Sequence, residues 1–210
     1  MKYTFKGVLI TILIICSYQL SARKIDDNEM NKSPKVLIIG LQDNVSSNYY
    51  YDEMISEQTG IQVDSIDWHY NNVISRNLQS AAKKHSFQVI NSAEMLVNDH
   101  ILSKIEIIGE KEIFSSNIQD IPEEEYKNLM EKLKADYLLI INQHYLKWQE
   151  EPMRTVFHMI SYSLFDKNKK EIYNGNEYFT SMNLETIKKL ENISRRTSSK
   201  IANQVQKSIK

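Results

Sequence analysis

Five consecutive residues, Tyr137-Leu138-Leu139-Ile140-Ile141, include no charged or amide side chain. A strand that turns apolar groups to both faces must be covered on both, so this chain needs a sheet with structure stacked above and below it. From Asn142 onward the pattern becomes polar and mixed, which predicts that the strand's far end nears the surface. Just before the run, Tyr126, Leu129, Met130 and Leu133 recur at helical spacing within Glu123–Lys134. Pro122 suits the first helical position, Glu123–Glu125 the positive end of the dipole, and Lys132 and Lys134 the negative end. A helix feeding directly into a central strand is the expected nucleus of the fold.

Downstream, Gln149–Pro152 turns the chain into a second strand, Arg154–Phe165, and Asp166–Lys170 turns it into a third, Glu171–Phe179. Matching of apolar faces favours a register with Leu138 opposite Leu164, Ile140 opposite Tyr162, Asn142 opposite Ile160, His144 opposite His158 and Leu146 opposite Val156. A slip that sets Leu138 against Ser163 and Ile140 against Ser161 wastes that matching. Asn183 is expected to cap a last helix whose stripe is Ile187, Leu190, Thr197, Ile201 and Val205.

Upstream, Lys35–Leu41 reads as a buried strand and Phe87–Ile90 as a short one. Between them, Ser65–Lys84 carries a helical stripe of Tyr70, Ile74, Leu78, Ala81 and His85. Gln42–Asp64 is long for a connection and should hold structure of its own, with Asn48 capping a short helix through Gln58 and Gly60 stopping it. Asn91 and Glu94 form a variant capping box for a helix to Leu102. Lys104–Phe114 fits an edge strand or a loop equally. The expected fold class is mixed α/β: a single sandwich of a mixed central sheet with a C-terminal antiparallel meander and flanking helices. Residues 35–210 form that one domain, with an insert at about 42–64.

The amino-terminal residues belong to a different kind of segment. Lys2 and Lys6 precede the apolar run Val8–Cys16, and Leu20-Ser21-Ala22 offers a cleavage site. That order is expected of a signal peptide over residues 1–22, followed by a polar leader over 23–34. The run is too short to span a bilayer, which takes ~20 residues. The mature chain is therefore expected without a transmembrane span, in the periplasm or at the outer-membrane periphery of a bacterium. Leu13-Ile14-Ile15-Cys16 approaches a lipobox, although Ile15 stands where a small residue belongs. Cleavage after Ala22 would remove Cys16, the one cysteine, and with it disulfides, thiolate metal sites and thiol nucleophiles.

Charge is nearly balanced, at −1 overall, and no basic stripe of the kind nucleic acid requires is present. No nucleotide-binding glycine loop, nucleophile elbow or zinc-protease motif occurs, so no cofactor is expected. His144 and His158 are the histidines that the expected register brings together, as direct cross-strand neighbours. Two imidazoles could begin a metal site, but zinc takes three or four protein ligands and no third is visible. A hydrogen-bonded histidine pair is the simpler reading. Asp64, Asp67 and His69 cluster before the long helix, where Ser65 and Asp67 suit capping. Tyr49-Tyr50-Tyr51 cannot all point inward from one helix or strand, so at least one is expected exposed, as a candidate partner-binding residue or as packing for the insert.

Several segments together resemble a known family. They are Val36-Leu37-Ile38-Ile39, the Leu78 helix with Phe87-Gln88-Val89-Ile90 after it, the junction Leu133-Lys134-Ala135-Asp136-Tyr137-Leu138-Leu139, and the hairpin Leu164–Tyr173. The arrangement resembles the small envelope domains typified by the TolB amino-terminal domain and the CsgG-like curli-secretion lipoproteins. It departs from them in the Gln42–Asp64 insert, in Ala135 where glycine is usual, and in the lipobox. The resemblance implies a non-enzymatic interaction or assembly domain whose partner is another envelope protein, and it carries no catalytic residue across. A small periplasmic hydrolase or metal-dependent enzyme using His144 and His158 is the alternative. Neither reading states an oligomeric form.

Overall fold

Strand β6 (Tyr137–Gln149) is paired along both of its edges. The computed structural model describes residues 33–92, 99–110 and 112–210. The expected signal segment, most of the leader and Glu94 of the expected capping box lie outside them. On one edge of β6, β1 (Lys35–Gly40) runs parallel beside Tyr137–Ile141, and β2 (Val45–Ser47) continues parallel beside His144–Leu146. On the other edge lie β7 (Thr155–Asp166) and then β8 (Glu171–Ser181), both antiparallel to their neighbours. β3 (Gln88–Asn91) pairs parallel with β1 and completes a six-stranded mixed sheet.

Helices cover both faces. One face packs on α1 (Asp52–Thr59), α2 (Ile66–Ala82) and α5 (Ile187–Ser208), with Val36, Ile38, Leu139, Ile141, Ile160 and Leu164 supplying the sheet side. The other packs on α4 (Glu123–Leu133) through Leu37, Ile39, Leu138, Ile140 and Phe165. The alternation of β1 and of Leu138–Ile141 between two cores is what an apolar run without polar breaks demands. A short helix α3 (Asp99–Leu102) and a separate hairpin, β4 (Glu106–Glu110) with β5 (Ile113–Asn117), fill the stretch after β3. The segment open between strand and loop is thus largely strand.

The β6–β7 register differs from the expected one. Leu138 faces Phe165, Ile140 faces Ser163 and Ile141 faces Tyr162; after a bulge at Asn142, His144 faces Ile160 and Leu146 faces His158. The bulge adds one residue and flips the parity of the strand. Leu139 and Ile141 before it, and His144, Leu146 and Trp148 after it, consequently share the α2 side. Ser163 is tolerated at full burial because its hydroxyl is engaged by the Asn142 amide at 3.1 Å and the Ser116 N–H at 3.2 Å. Asn142 also donates to the Phe114 carbonyl at 2.8 Å, so the bulged side chain pins the β4–β5 hairpin to the sheet.

Caps differ in detail. Asn48 does not cap α1: its side chain pairs with the Trp148 backbone through both oxygen (2.7 Å) and nitrogen (3.1 Å), extending β2 by a side-chain amide. The residue preceding α1 is Tyr51, while Gly60 ends the helix at φ 75° as expected. Thr186, not Asn183, precedes α5, and the Asn183 carbonyl accepts from Ser181 Oγ. Asp166 Oδ1 accepts from the N–H groups of Asn168 and Lys170, closing the turn before β8.

At the end of α4 the left-handed residue is Lys134 (φ 52°), and the Ala135 N–H reaches back to the Met130 carbonyl at 2.8 Å. Asp136 then locks the entry to β6, accepting the Lys35 N–H on its carboxylate and donating its own N–H to the Lys35 carbonyl, both at 2.8 Å. A lysine at a left-handed cap carries a steric cost that glycine lacks. Lys134→Gly is expected to stabilise the protein by about 0.5–1 kcal/mol, read as a higher urea midpoint. A lower midpoint would show that the cap depends on the lysine side chain.

Candidate functional site

The histidine pair forms on diagonal positions rather than opposite ones, because His144 faces Ile160 and His158 faces Leu146. Both rings are sealed between the sheet and α2, at 1% and 0% exposure. His144 Nε2 lies 3.3 Å from His158 Nδ1, and His158 Nε2 lies 3.0 Å from Ser181 Oγ. Proton positions follow from the end of this chain. Ser181 donates to the Asn183 carbonyl at 2.6 Å, so its oxygen accepts from His158 Nε2–H. His158 Nδ1 is then bare and accepts from His144 Nε2–H. Two neutral imidazoles in series make a relay, in which one ring nitrogen is the other's partner; they do not aim two lone pairs at a common point.

Burial lowers the pKa of His158 to about 3. Burial also holds His144 well below the usual histidine range, with His158 beside it adding to the effect. His144 Nδ1 and the Tyr70 hydroxyl, both buried, have no hydrogen-bond partner among the described residues. The Tyr70 ring meets His144 edge-on at 4.7 Å, and Phe179 stacks on His158 at 4.5 Å. Among the described residues no group of three His, Cys, Asp or Glu side chains is placed to hold a metal ion.

Asp67 does something the sequence reading missed. Its carboxylate accepts three backbone N–H groups from the turn between β1 and β2: Asp43 at 3.0 Å, Asn44 at 3.1 Å and Val45 at 2.8 Å. Burial raises its pKa, against the lowering by those N–H bonds. Asn71, one turn further along α2, donates to the Leu41 carbonyl and exchanges bonds with Asn44. A Cβ on Gly40 would stand 2.4 Å from Asn71, so this close approach requires glycine there. Asp64 and Trp68 line a cleft of about 500 Å³ beside this turn; His69 packs edge-on to Trp68 at 4.8 Å. The fragment Asp64-Asp67-His69 therefore splits into a turn clasp and a cleft wall.

The three tyrosines separate as well. Tyr50 is buried at 8% exposure, whereas Tyr49 and Tyr51 are 56% and 62% exposed. Tyr49 stacks on Trp148 with ring centroids 5.7 Å apart, and Tyr50 meets both rings edge-on. Ser47 Oγ accepts the N–H groups of Tyr49 and Tyr50 and donates to the Leu146 carbonyl at 2.6 Å. Together with Asn48, these bonds fasten the segment to β6.

No family model matches this chain, and no curated protein does. Among solved structures, the hypothetical protein CT253 from Chlamydia trachomatis is similar at a TM-score of 0.50 and 13% identity, over 83% of this chain and 96% of that one. Lipoprotein GNA1162 from Neisseria meningitidis is similar at 0.40 and 14% identity, over 82% and 97% of the two chains. The PelC dodecamer from Paraburkholderia phytofirmans gives 0.41 and 8%, over 83% and 90%. The CT253 likeness shows a shared fold. Among the described residues no helix is long and apolar enough to cross a membrane.

Proposed function

We propose that this chain is an exported bacterial envelope domain, located in the periplasm or at the outer-membrane periphery, that works without catalysis by binding another envelope protein. The observation that carries the reading is Tyr49: more than half exposed, yet held by stacking on Trp148 and by the Ser47 hydroxyl. An aromatic already fixed in place loses little conformational freedom on binding, and such residues dominate interface energetics. The basic, apolar and polar order of Met1–Ala22 supports export. The sequence-level resemblance to TolB amino-terminal and CsgG-like domains supports the same reading. The histidines favour no enzymatic alternative, because neither ring meets solvent.

Two measurements test this. Intact-mass analysis of the protein from its native cells is expected to show a chain beginning at Arg23; a mass retaining Met1, or one beginning at a lipidated Cys16, overturns the export step as stated. Crosslinking of the whole chain in envelope fractions is expected to give a discrete adduct with another protein. A chain that crosslinks to nothing overturns the interaction reading.

A further inference from the structure

The register gathers exposed apolar side chains at one end of the sheet. β6 ends at Gln149, β7 begins at Thr155 opposite it, and Val156 faces Ser181 at the close of β8. Met153 lies in the connection from β6 to β7, and Met182 directly follows β8; each is 72% exposed. Tyr49 arrives from the other side, stacked on Trp148, which itself faces Val156. Three separate segments thus bring the exposed Tyr49, Met153 and Met182 to the same end, with the half-buried Trp148 beneath Tyr49. Methionine adapts to irregular apolar partners and tyrosine anchors them, so a patch of this kind marks a protein contact more than a random scatter does.

Charge at this end narrows the partner. Asp52 and Glu53 follow the tyrosines, and Glu150 and Glu151 precede Met153, all exposed. Arg154 is the cation within residues 149–154, and it sits 3.9 Å from Glu150. Exposed carboxylates on the segments that carry Tyr49 and Met153 disfavour an anionic lipid surface, and they disfavour a second copy of the same end. They attract a segment that carries apolar anchors flanked by lysine or arginine.

We propose that this end of the sheet is a docking surface for a basic, amphipathic protein segment. The proposal rests on the interaction reading above and names its surface and the chemistry of its partner. The probe is a fluorescein-labelled peptide of alternating leucine and lysine, compared with a counterpart carrying glutamate in place of each lysine. Fluorescence anisotropy with the mature chain is expected to show the lysine peptide binding at least about tenfold tighter, a difference of ~1.4 kcal/mol. The combined variant Tyr49→Ser, Met153→Ser and Met182→Ser is expected to weaken that binding about tenfold or more, with circular dichroism and thermal midpoint unchanged. Glu150→Lys with Glu151→Lys, at exposed positions that no core contact needs, is expected to reverse the preference between the peptides.

Equal binding of both peptides overturns the proposal, and so does a serine variant that binds like the parent. Sedimentation of the parent chain with phosphatidylglycerol vesicles, or a parent dimer that the serine variant abolishes, also overturns it, since each names another occupant. Envelope crosslinks that persist in the serine variant discard this surface and leave the interaction reading standing. A parent chain without any crosslink discards the interaction reading instead.

Discussion

Ile140→Asp is expected to remove most of the protein's stability. Ile140 has no solvent exposure and lies between Ile39 of β1 and Ser163 of β7, facing the α4 layer. The facing Ser163 oxygen accepts from Asn142 and from the Ser116 N–H, and its single hydroxyl proton cannot replace the hydration that a buried carboxylate loses. Leaving a charge buried and unpaired costs about 3–5 kcal/mol, a large share of the 5–15 kcal/mol that typical domains possess. A chain of this size should lose on the order of 10 °C in thermal midpoint, or fail to fold. A soluble variant with the parent midpoint would show that β6 is not the sealed strand described above.

Acid sensitivity is the second large effect. In the folded protein both buried histidines stay neutral, with the pKa of His158 lowered to about 3 and that of His144 well below its ordinary 6.5. In the unfolded chain both take up protons near the ordinary value. Below about pH 6.5 the unfolded state therefore binds more protons, and stability falls as pH falls. Two such groups give a slope approaching ~2.7 kcal/mol per pH unit until the folded rings begin to titrate. Between pH 7 and pH 5, above most carboxylate titrations, urea midpoints should drop steeply. Replacing the pair by His144→Leu and His158→Leu should flatten that slope, whatever it does to stability at pH 7. Identical midpoints at the two pH values in the parent would mean that the rings are not held neutral.

The elements that periodicity governs were legible in the sequence. The stripe of Tyr126, Leu129 and Met130 is buried, and Leu138–Ile141 are core on both faces, because amphipathic spacing and unbroken apolar runs have few alternative placements. Register was not legible. Face matching assumes strict alternation, and the bulge at Asn142 breaks it with a side chain whose partners, Phe114 and Ser116, are more than twenty residues away. Caps failed for a similar reason: Asn48 has the right chemistry for a helix start, yet a better partner, the Trp148 backbone, lies a hundred residues along the chain. Asp67 was credited with a local capping role while its carboxylate serves a turn more than twenty residues earlier. The tyrosine triplet announced that some ring must face out. That Met153 and Met182 come to the same end of the sheet as Tyr49 depends on the register, and so could not be read beforehand.

The pairing of β1 and β2 with β6 also sets an order of events. The meander β6–β7–β8 closes through short turns, whereas Lys35 must find Asp136, and Asn48 must find Trp148, across about a hundred residues. Contacts of such separation are slow to form because their loop-closure entropy must be met first. A chain that emerges amino end first presents Val36–Ile39 long before β6 exists. Along the edge that β6 will take, those four aliphatic residues are then open and adhesive. β3 can cover one edge of β1 once residue 91 has appeared, but the other edge stays open until Tyr137–Ile141 follow.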